Sequence, residues 1–333
     1  MNAVVISQYG GPEVLRLEEV PTPQPGPHEI LVRVVASALN RADILQREGK
    51  YPPPPGAHTM IPGMEFAGEV SALGSETKKW KPGQRVFGLV AAGAHAEFLV
   101  THQEAVAEIP SHMSWSEAAA IPEAYITAHD ALWRQAALRA GESVLIHAVG
   151  SGVGLAAVDL VRAKGAIPYG TSRTADKLER ACKLGMEDGI AVGNDLRAMV
   201  ERVKQWTHGR GVDVVLDLTG GPYVGASIEA SALKARLMLV VTVAGGKAEI
   251  PLGIVLSKRL KLIGTVMRSR SLEEKIEATR AFANEVVPLF AAGKLRPVID
   301  SEFPLSEIQA AHRKMGSNET FGKIVLRMRD SRN

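Results

Sequence analysis

The sequence predicts an α/β protein: a doubly wound parallel sheet preceded by a small barrel or sandwich of short strands. Three observations predict it. An apolar β-type run, Val144-Leu145-Ile146-His147-Ala148, passes through a glycine-rich turn, Val149-Gly150-Ser151-Gly152-Val153-Gly154, into a segment with apolar side chains at helical spacing. From about residue 122, helical and β-type stretches alternate, as a parallel sheet with crossover helices requires. The first 120 residues instead carry short β-type runs divided by glycine and proline turns.

The early runs are Val4–Ile6, Ile30–Val35, Ala67–Val70, Arg85–Val90 and Ala96–Val100, with turns such as Pro21–Pro27 and Lys81-Pro82-Gly83. Ser116–Leu138 reads as one helix with its N-cap at Ser114 or Ser116. Strands are expected at Ser143–Ala148, Ala166–Gly170, Gly189–Val192, Val212–Leu218 and Leu237–Val243. Then come a helix over Ser271–Ala292, a strand over Val298–Pro304, a short helix and a strand over Gly322–Met328. The expected division is 1–121 completed by 270–333, and 122–269. Pro52–Pro55 is a stiff loop, and no internal repeat is visible.

A length of 333 residues suits two domains, each able to bury a core. The net charge of +3 offers no case for a nucleic-acid or membrane partner. The basic runs Lys258-Arg259-Leu260-Lys261 and Arg268-Ser269-Arg270 read as solvated faces. The longest apolar run, Leu237–Ala244, is too short to cross a bilayer. The first residues lack the pattern of a secretory signal. Cys182 is the sole cysteine, so no internal disulfide forms and a cytoplasmic location is expected.

A helix N-terminus after a parallel strand presents unpaired N–H groups and the positive end of the dipole, which suit a pyrophosphate. The strict G-x-G-x-x-G pattern fails, because Leu155 takes its sixth position, and a purely structural turn is the competing reading. Where an NAD site carries an acidic residue, at the end of the second strand, this chain has Thr171, Ser172 and Arg173, with Lys177 a turn later. A hydroxyl and two cations suit a 2′-phosphate, so NADP(H) is expected over NAD(H). The alternative is a solvated surface.

The segments Ala36–Asp43, Gly49–Gly56, Ala119–Ala124, His147–Gly154, Leu216–Gly221, Met267–Arg270 and Gly322–Leu326 carry a resemblance that runs nearly end to end. The chain resembles the medium-chain dehydrogenase/reductase superfamily, and within it the quinone oxidoreductase branch that includes zeta-crystallin. It looks closest to the tumour-suppressor-inducible quinone oxidoreductases. The resemblance implies a GroES-like catalytic domain, a Rossmann domain for NADP(H), and a homodimer, for which Leu237–Val243 is a candidate sheet edge. Ala148 and Gly150 would open the turn, Gly152 and Val153 would offer N–H groups to the pyrophosphate, and Gly154 would pack helix on strand. Ser151 stands where many relatives have glycine. The matching position of a family tyrosine that helps hold the adenosine phosphate is near Val192, which leaves Ser172, Arg173 and Lys177 to hold the phosphate.

The same resemblance places Asn40 beside the nicotinamide and the substrate oxygen, with helix capping as the alternative. Asp43 lies one turn on, facing the same cleft or serving as a first-turn acid. Tyr51 would stack on a quinone ring or donate to its oxygen, or is a packing aromatic. Thr127 is a candidate for the nicotinamide carboxamide, and Lys323 for a place near the cofactor. Glu123 reads only as a helix cap, and no general acid is forced. Alcohol dehydrogenases of the superfamily bind catalytic zinc through a cysteine and a Gly-His-Glu histidine. Here those segments hold Asn40 and Gly63-Met64-Glu65, so no metal is expected. The expected reaction is hydride transfer from NADPH to a quinone. An enoyl or enone reductase is the alternative, and a non-catalytic NADPH- or RNA-binding protein the third reading.

Overall fold

The computed structural model describes every residue except 58, 59, 194 and 329–333. It divides into two compact units, Met1–Ile126 with Met267–Asn333, and Thr127–Val266. No helix among the described residues is long and apolar enough to cross a membrane.

The first unit begins with strands β1 (Asn2–Ile6), β2 (Leu15–Glu19), β3 (Glu29–Ala38), β4 (Glu65–Leu73), β5 (Arg85–Leu89), β6 (Phe98–His102) and β7 (Val106–Glu108). β1 and β2 form an antiparallel ribbon. The long β3 is the spine of a larger mixed sheet. It pairs antiparallel with β4 and, through Glu29–Arg33, with β6. β4 continues to β5 and β5 to β7. Alternate residues of β3, Ile30, Val32 and Val34, point to one face and bury against Phe66, Val70, Trp80, Val86, Leu99 and Val106. Ala96, expected to open a strand, makes only an isolated bridge to Ala3.

The helix expected over Ser116–Leu138 is not continuous. Ser114 caps Trp115–Ala119 in a capping box with Glu117. Pro122, which lacks an N–H, follows the break. Beyond it the chain winds in wide π-type turns at Pro122–Ile126 and Asp130–Gln135, on either side of Thr127–His129.

The second unit is a six-stranded parallel sheet: β8 (Ser143–Ile146), β9 (Ile167–Ser172), β10 (Asp188–Ala191), β11 (Val212–Asp217), β12 (Ser231–Leu239) and β13 (Lys261–Gly264). Its order is β10-β9-β8-β11-β12-β13. The chain winds outward from β8 in one direction and from β11 in the other, so the order reverses between these neighbours. Ligands bind at such a switch point in open α/β sheets. Leu145, Tyr169, Val203, Val215, Ile228 and Leu237 fill the core. The expected strand Leu237–Val243 is corrected: β12 starts earlier, ends at Leu239 and lies between β11 and β13, so it is not an edge. The edge on that side is β13, which opens at Lys261, the last residue of a run whose charges made it read as solvated.

The chain then returns to the first unit. The helix expected over Ser271–Ala292 is two, Leu272–Glu285 and Val287–Ala291, parted at Val286. Ser271 and Glu274 form the capping box of the first. β14 (Ile299–Pro304) pairs parallel with β15 (Lys323–Arg327), which pairs antiparallel with Ala36–Ala38 of β3. Ile308, Ala311 and Met315 of the helix Ile308–Gly316 pack with Val4, Ile6, Leu39, Ile324 and Leu326.

Candidate functional site

In the first unit, a polar cluster built from separate parts of the chain lies where β3 ends and β15 begins. The Leu39 N–H donates to the Ile324 carbonyl at 2.9 Å, which fixes the two strands side by side. The chain then turns at Asn40 into the helix Arg41–Arg47. Asp43, three residues on, reaches back: its Oδ2 accepts the Asn40 N–H at 2.7 Å and its Oδ1 accepts the Gly63 N–H at 3.0 Å. Asp43 is fully buried with both oxygens in use, so it sets the backbone of two segments. Gly63 has φ of +100°, and a Cβ there would lie 2.5 Å from the His95 nitrogen, so only glycine fits. His95 is buried too, with Nδ1 2.9 Å from the Ser37 hydroxyl and Nε2 3.8 Å from Asp43. Burial pushes its pKa down, so the ring is neutral.

The Asn40 side chain is committed to the cluster. Its Nδ2 donates to Glu65 Oε1 at 2.8 Å and to the Ala38 carbonyl at 3.3 Å, and its Oδ1 accepts from Lys323 Nζ at 2.6 Å. Lys323 Nζ also donates to Glu65 Oε1 at 2.5 Å and to the Leu39 carbonyl at 3.0 Å. With these bonds made, neither the Asn40 amide nor the ammonium holds a spare proton for a ligand oxygen. Glu65 is fully buried, and its Oε2 accepts the Glu123 main-chain N–H at 2.8 Å. Burial pushes the Glu65 carboxyl up, while Lys323, that N–H and Asn40 draw it back.

Glu123 differs from its neighbours. Its Oε2 is buried and has no hydrogen-bond partner among the described residues. Burial and the adjacent Glu65 push its carboxyl up to about 7, against the pull of Lys323. Tyr51 is half-buried, and burial holds its phenol protonated beyond the usual range. The Arg268 guanidinium lies 5.0 Å from the Tyr51 ring centre. It donates to the Tyr51 carbonyl at 2.9 Å, to the Ala91 carbonyl at 2.7 Å and to Gln46 Oε1. Arg268 thus pins the Tyr51 segment, a role that its place in a basic run concealed. The structure brings Asn40, Asp43 and Lys323 together, and adds Glu65, Glu123, His95 and Arg268.

The donor set does not fit a zinc ion. Among the described residues, no three of His, Cys, Asp and Glu are grouped to hold a metal. The carboxylate best placed to join such a group, Glu65, already carries the Lys323 ammonium.

In the second unit, the glycine turn follows β8. Ala148 has φ of +47°, and Ser151, with φ −77° and ψ 163°, is ordinary extended backbone that any residue adopts. Ser151 is the N-cap of the helix Gly152–Ala163, its hydroxyl accepting the Gly154 N–H at 3.1 Å. The Gly152 and Val153 N–H groups have no main-chain acceptor among the described residues, as expected of a first helical turn. A Cβ on Gly154 would sit 2.6 Å from the Val149 carbonyl oxygen, so glycine here brings the helix onto the strand. Gly150 is buried beneath the turn. These residues fit a pyrophosphate.

Ser172 ends β9 and its hydroxyl accepts the Thr174 N–H at 3.3 Å. Arg173 follows, exposed, and Lys177 lies in the first turn of the helix Ala175–Lys183, partly exposed. Thr171 is not available to a ligand: it is buried and bonded to His147 Nδ1 at 3.0 Å. His147 also meets the Ser227 hydroxyl at 2.8 Å, and burial pushes its pKa down to about 4. Val192 belongs to the core, so no polar side chain reaches a phosphate from there. The Thr127 hydroxyl is buried without a partner among the described residues, an open donor and acceptor.

A doubly wound sheet with a pyrophosphate turn, in one chain with a mixed-sheet unit bearing a buried ionic cluster, defines a medium-chain dehydrogenase/reductase. Residues 26–128 match the alcohol dehydrogenase GroES-like domain, and 184–326 match the zinc-binding dehydrogenase domain. Human quinone oxidoreductase is 31% identical over 332 residues, covering 98% of this chain and 97% of that protein. A mycobacterial protein solved in complex with NADPH is 26% identical, with a TM-score of 0.88 and coverage of 98% and 100%. The enoyl reductase CurK is 29% identical, with a TM-score of 0.85 and coverage of 98% and 99%. The chain belongs to the quinone oxidoreductase branch of the medium-chain dehydrogenase/reductase superfamily, and it is an oxidoreductase.

Proposed function

We propose that this protein is an NADPH-dependent quinone oxidoreductase that works without zinc. The observation that carries the reading is the ionic cluster at Glu65. Lys323 and Asn40 saturate the carboxylate best placed for a metal, while two protonated groups, the Tyr51 phenol and the Glu123 carboxyl, are left over. Such a site cannot activate an alcohol through a Lewis acid. It suits an acceptor that takes hydride readily and then holds negative charge on oxygen. Bound NADPH supplies the hydride.

The chain's own residues do the rest. Gly152 and Val153 offer their N–H groups to the pyrophosphate, with the helix dipole behind them. Ser172, Arg173 and Lys177 favour a 2′-phosphate, since no carboxylate stands at the end of β9. The unbonded Thr127 hydroxyl suits a carboxamide. Asn40 and Asp43 position: one orients Lys323 and Glu65, the other fixes the turn at Gly63. Tyr51, held by Arg268, stacks on or donates to the acceptor.

An enone or enoyl reductase is the second reading, favoured by the likeness to the CurK enoyl reductase. Titration with NADPH and NADH, then steady-state rates with a naphthoquinone and an enoyl thioester, with and without a chelator, test all parts. Activity lost on chelation, or confined to the thioester, rejects the quinone reading as stated.

The protein forms a homodimer in this proposal. β13 is one edge of the parallel sheet, and exposed Leu252 and Leu256 lie on the helix just before it. An unpaired apolar edge of this kind pairs with a second copy across a two-fold axis.

A further inference from the structure

We propose that Glu123 is the acid that protonates the reduced acceptor, an inference that rests on the reading of the chain as a quinone or enone reductase. The case begins with geometry. Of the polar side chains that meet in the first unit, four have all their polar atoms in bonds: Asn40, Glu65 and Lys323 with one another and with main-chain groups, and Asp43 with the main-chain N–H groups of Asn40 and Gly63. Glu123 alone keeps a buried carboxyl oxygen without a partner among the described residues. A buried oxygen of this kind costs free energy to leave unsatisfied, so its retention calls for a ligand or a proton.

Its neighbours decide which. The Glu123 main-chain N–H is fixed to Glu65 Oε2, which holds the Glu65 carboxyl against the Glu123 backbone. A neighbouring carboxylate disfavours the charged form, and Glu65 raises the Glu123 carboxyl in this way. Lys323 sits on Glu65, not on Glu123, so the ionised member is Glu65 and the proton resides on Glu123. The groups acting on Glu123 come from every side: Glu65 on β4, Asp43 on the helix Arg41–Arg47, Lys323 on β15, Arg268 after β13, and Tyr51 before the proline loop. Burial and the two acids outweigh the two cations, which holds the carboxyl near 7. That is where a general acid works best at physiological pH. The wide turn at Pro122–Ile126 places Glu123 off the regular helical path, as π-type turns often do at functional sites.

The step balances as follows. Bound NADPH would supply a hydride, two electrons with one proton, which would convert the quinone to the hydroquinone monoanion and leave NADP+. The Glu123 O–H bond breaks, its proton joins the phenolate oxygen, and the bonding pair stays on the carboxylate. Solvent then returns a proton to Glu123. For an enone, the enolate takes the proton in the same way.

The test joins a readout on the protein alone to kinetics. In the cofactor-free protein labelled with carbon-13 at glutamate carboxyls, one resonance, absent from Glu123→Gln, titrates near 7. With NADPH and a naphthoquinone, the wild-type kcat falls as pH rises through that range and carries a solvent deuterium isotope effect. Glu123→Gln lowers kcat by about 100-fold, the usual order for a lost general acid, removes the pH dependence and leaves NADPH affinity unchanged. Tyr51→Phe keeps the pH dependence. A Glu123 resonance that titrates near the ordinary 4.5, or a Gln variant with wild-type kcat and pH profile, overturns the proposal. A wild-type protein inactive with every quinone and enone overturns it together with the functional reading. An active wild type with an unaffected variant overturns it alone.

Discussion

Lys323 and Glu65 stand 258 residues apart in the chain and 2.5 Å apart in space, both buried. Neither charge is tolerable without the other. Removing one partner of a buried pair typically costs about 3–5 kcal/mol, because the survivor stays desolvated and uncompensated. Lys323→Met should lose about that much stability in urea denaturation. The double variant Lys323→Met/Glu65→Gln should lose less than the single one. Additive losses would show that the two side chains do not act as a pair.

Glu123 ties stability to pH. Its folded carboxyl holds a proton up to about 7, against an ordinary value of 4.5. Between those values the folded chain binds more protons than the unfolded one, so stability falls as pH rises. The contribution is whole below about 4.5 and is lost as pH climbs through about 7, a change on the order of 3 kcal/mol at most. Urea midpoints at pH 5 and pH 8 should therefore differ more in the wild type than in Glu123→Gln. Equal differences would place the carboxyl in water.

The proposed phosphate preference rests on side chains at the end of β9 and in the helix that follows. Arg173→Ala should weaken NADPH by about 10-fold, the order of one exposed charge-assisted bond, and leave NADH nearly unchanged. Adding Lys177→Ala should widen the gap. Nucleotide fluorescence titration reads both constants, and equal weakening of the two coenzymes would remove the cations from the phosphate site.

Gly154→Ala forces a methyl against the main-chain oxygens of Val149 and Ala148, at 2.6 and 2.8 Å. Backbone cannot swing aside as a side chain can, so the helix must lift from β8. A stability loss of about 1–3 kcal/mol and weaker binding of both coenzymes should follow. Wild-type binding in the alanine variant would mean that the turn is not the pyrophosphate cradle.

Replacing Leu256 with Glu and Ile263 with Lys puts charges on the exposed helix and on the edge strand β13. Sedimentation should then report a monomer, against the dimer proposed for the wild type. An unchanged mass would move the contact elsewhere.

The parallel sheet was legible because its signals are local. Val144–Ile146 is an unbroken apolar strand, and Gly152 and Gly154 mark the turn. β13 was hidden because Lys258-Arg259-Leu260-Lys261 reads as surface, and an edge strand with an exposed face does carry such residues. β12 was displaced because Lys234 and Arg236 interrupt its apolar pattern, whereas Val240–Val243 continue that pattern past its end. The helix over 116–138 was drawn straight because π-type turns use ordinary helix formers. In the polar cluster, Asn40, Asp43 and Lys323 were singled out from the sequence, but Glu65 was noticed only for the ligand missing beside it. Glu123 read as a cap. What distinguishes these two acids is the placement of Lys323, and no local pattern in a sequence reports a partner more than two hundred residues away.

That partner arrives late. The second unit is continuous from Thr127 to Val266, so a ribosome releases it whole before β15 exists. Glu65 is made early and waits, without its counter-ion, while some 250 further residues are translated. During that interval its ionised carboxylate is better placed in water than in the interior. The counter-ion that compensates Glu65 in the folded unit is thus supplied by the last strand to be made.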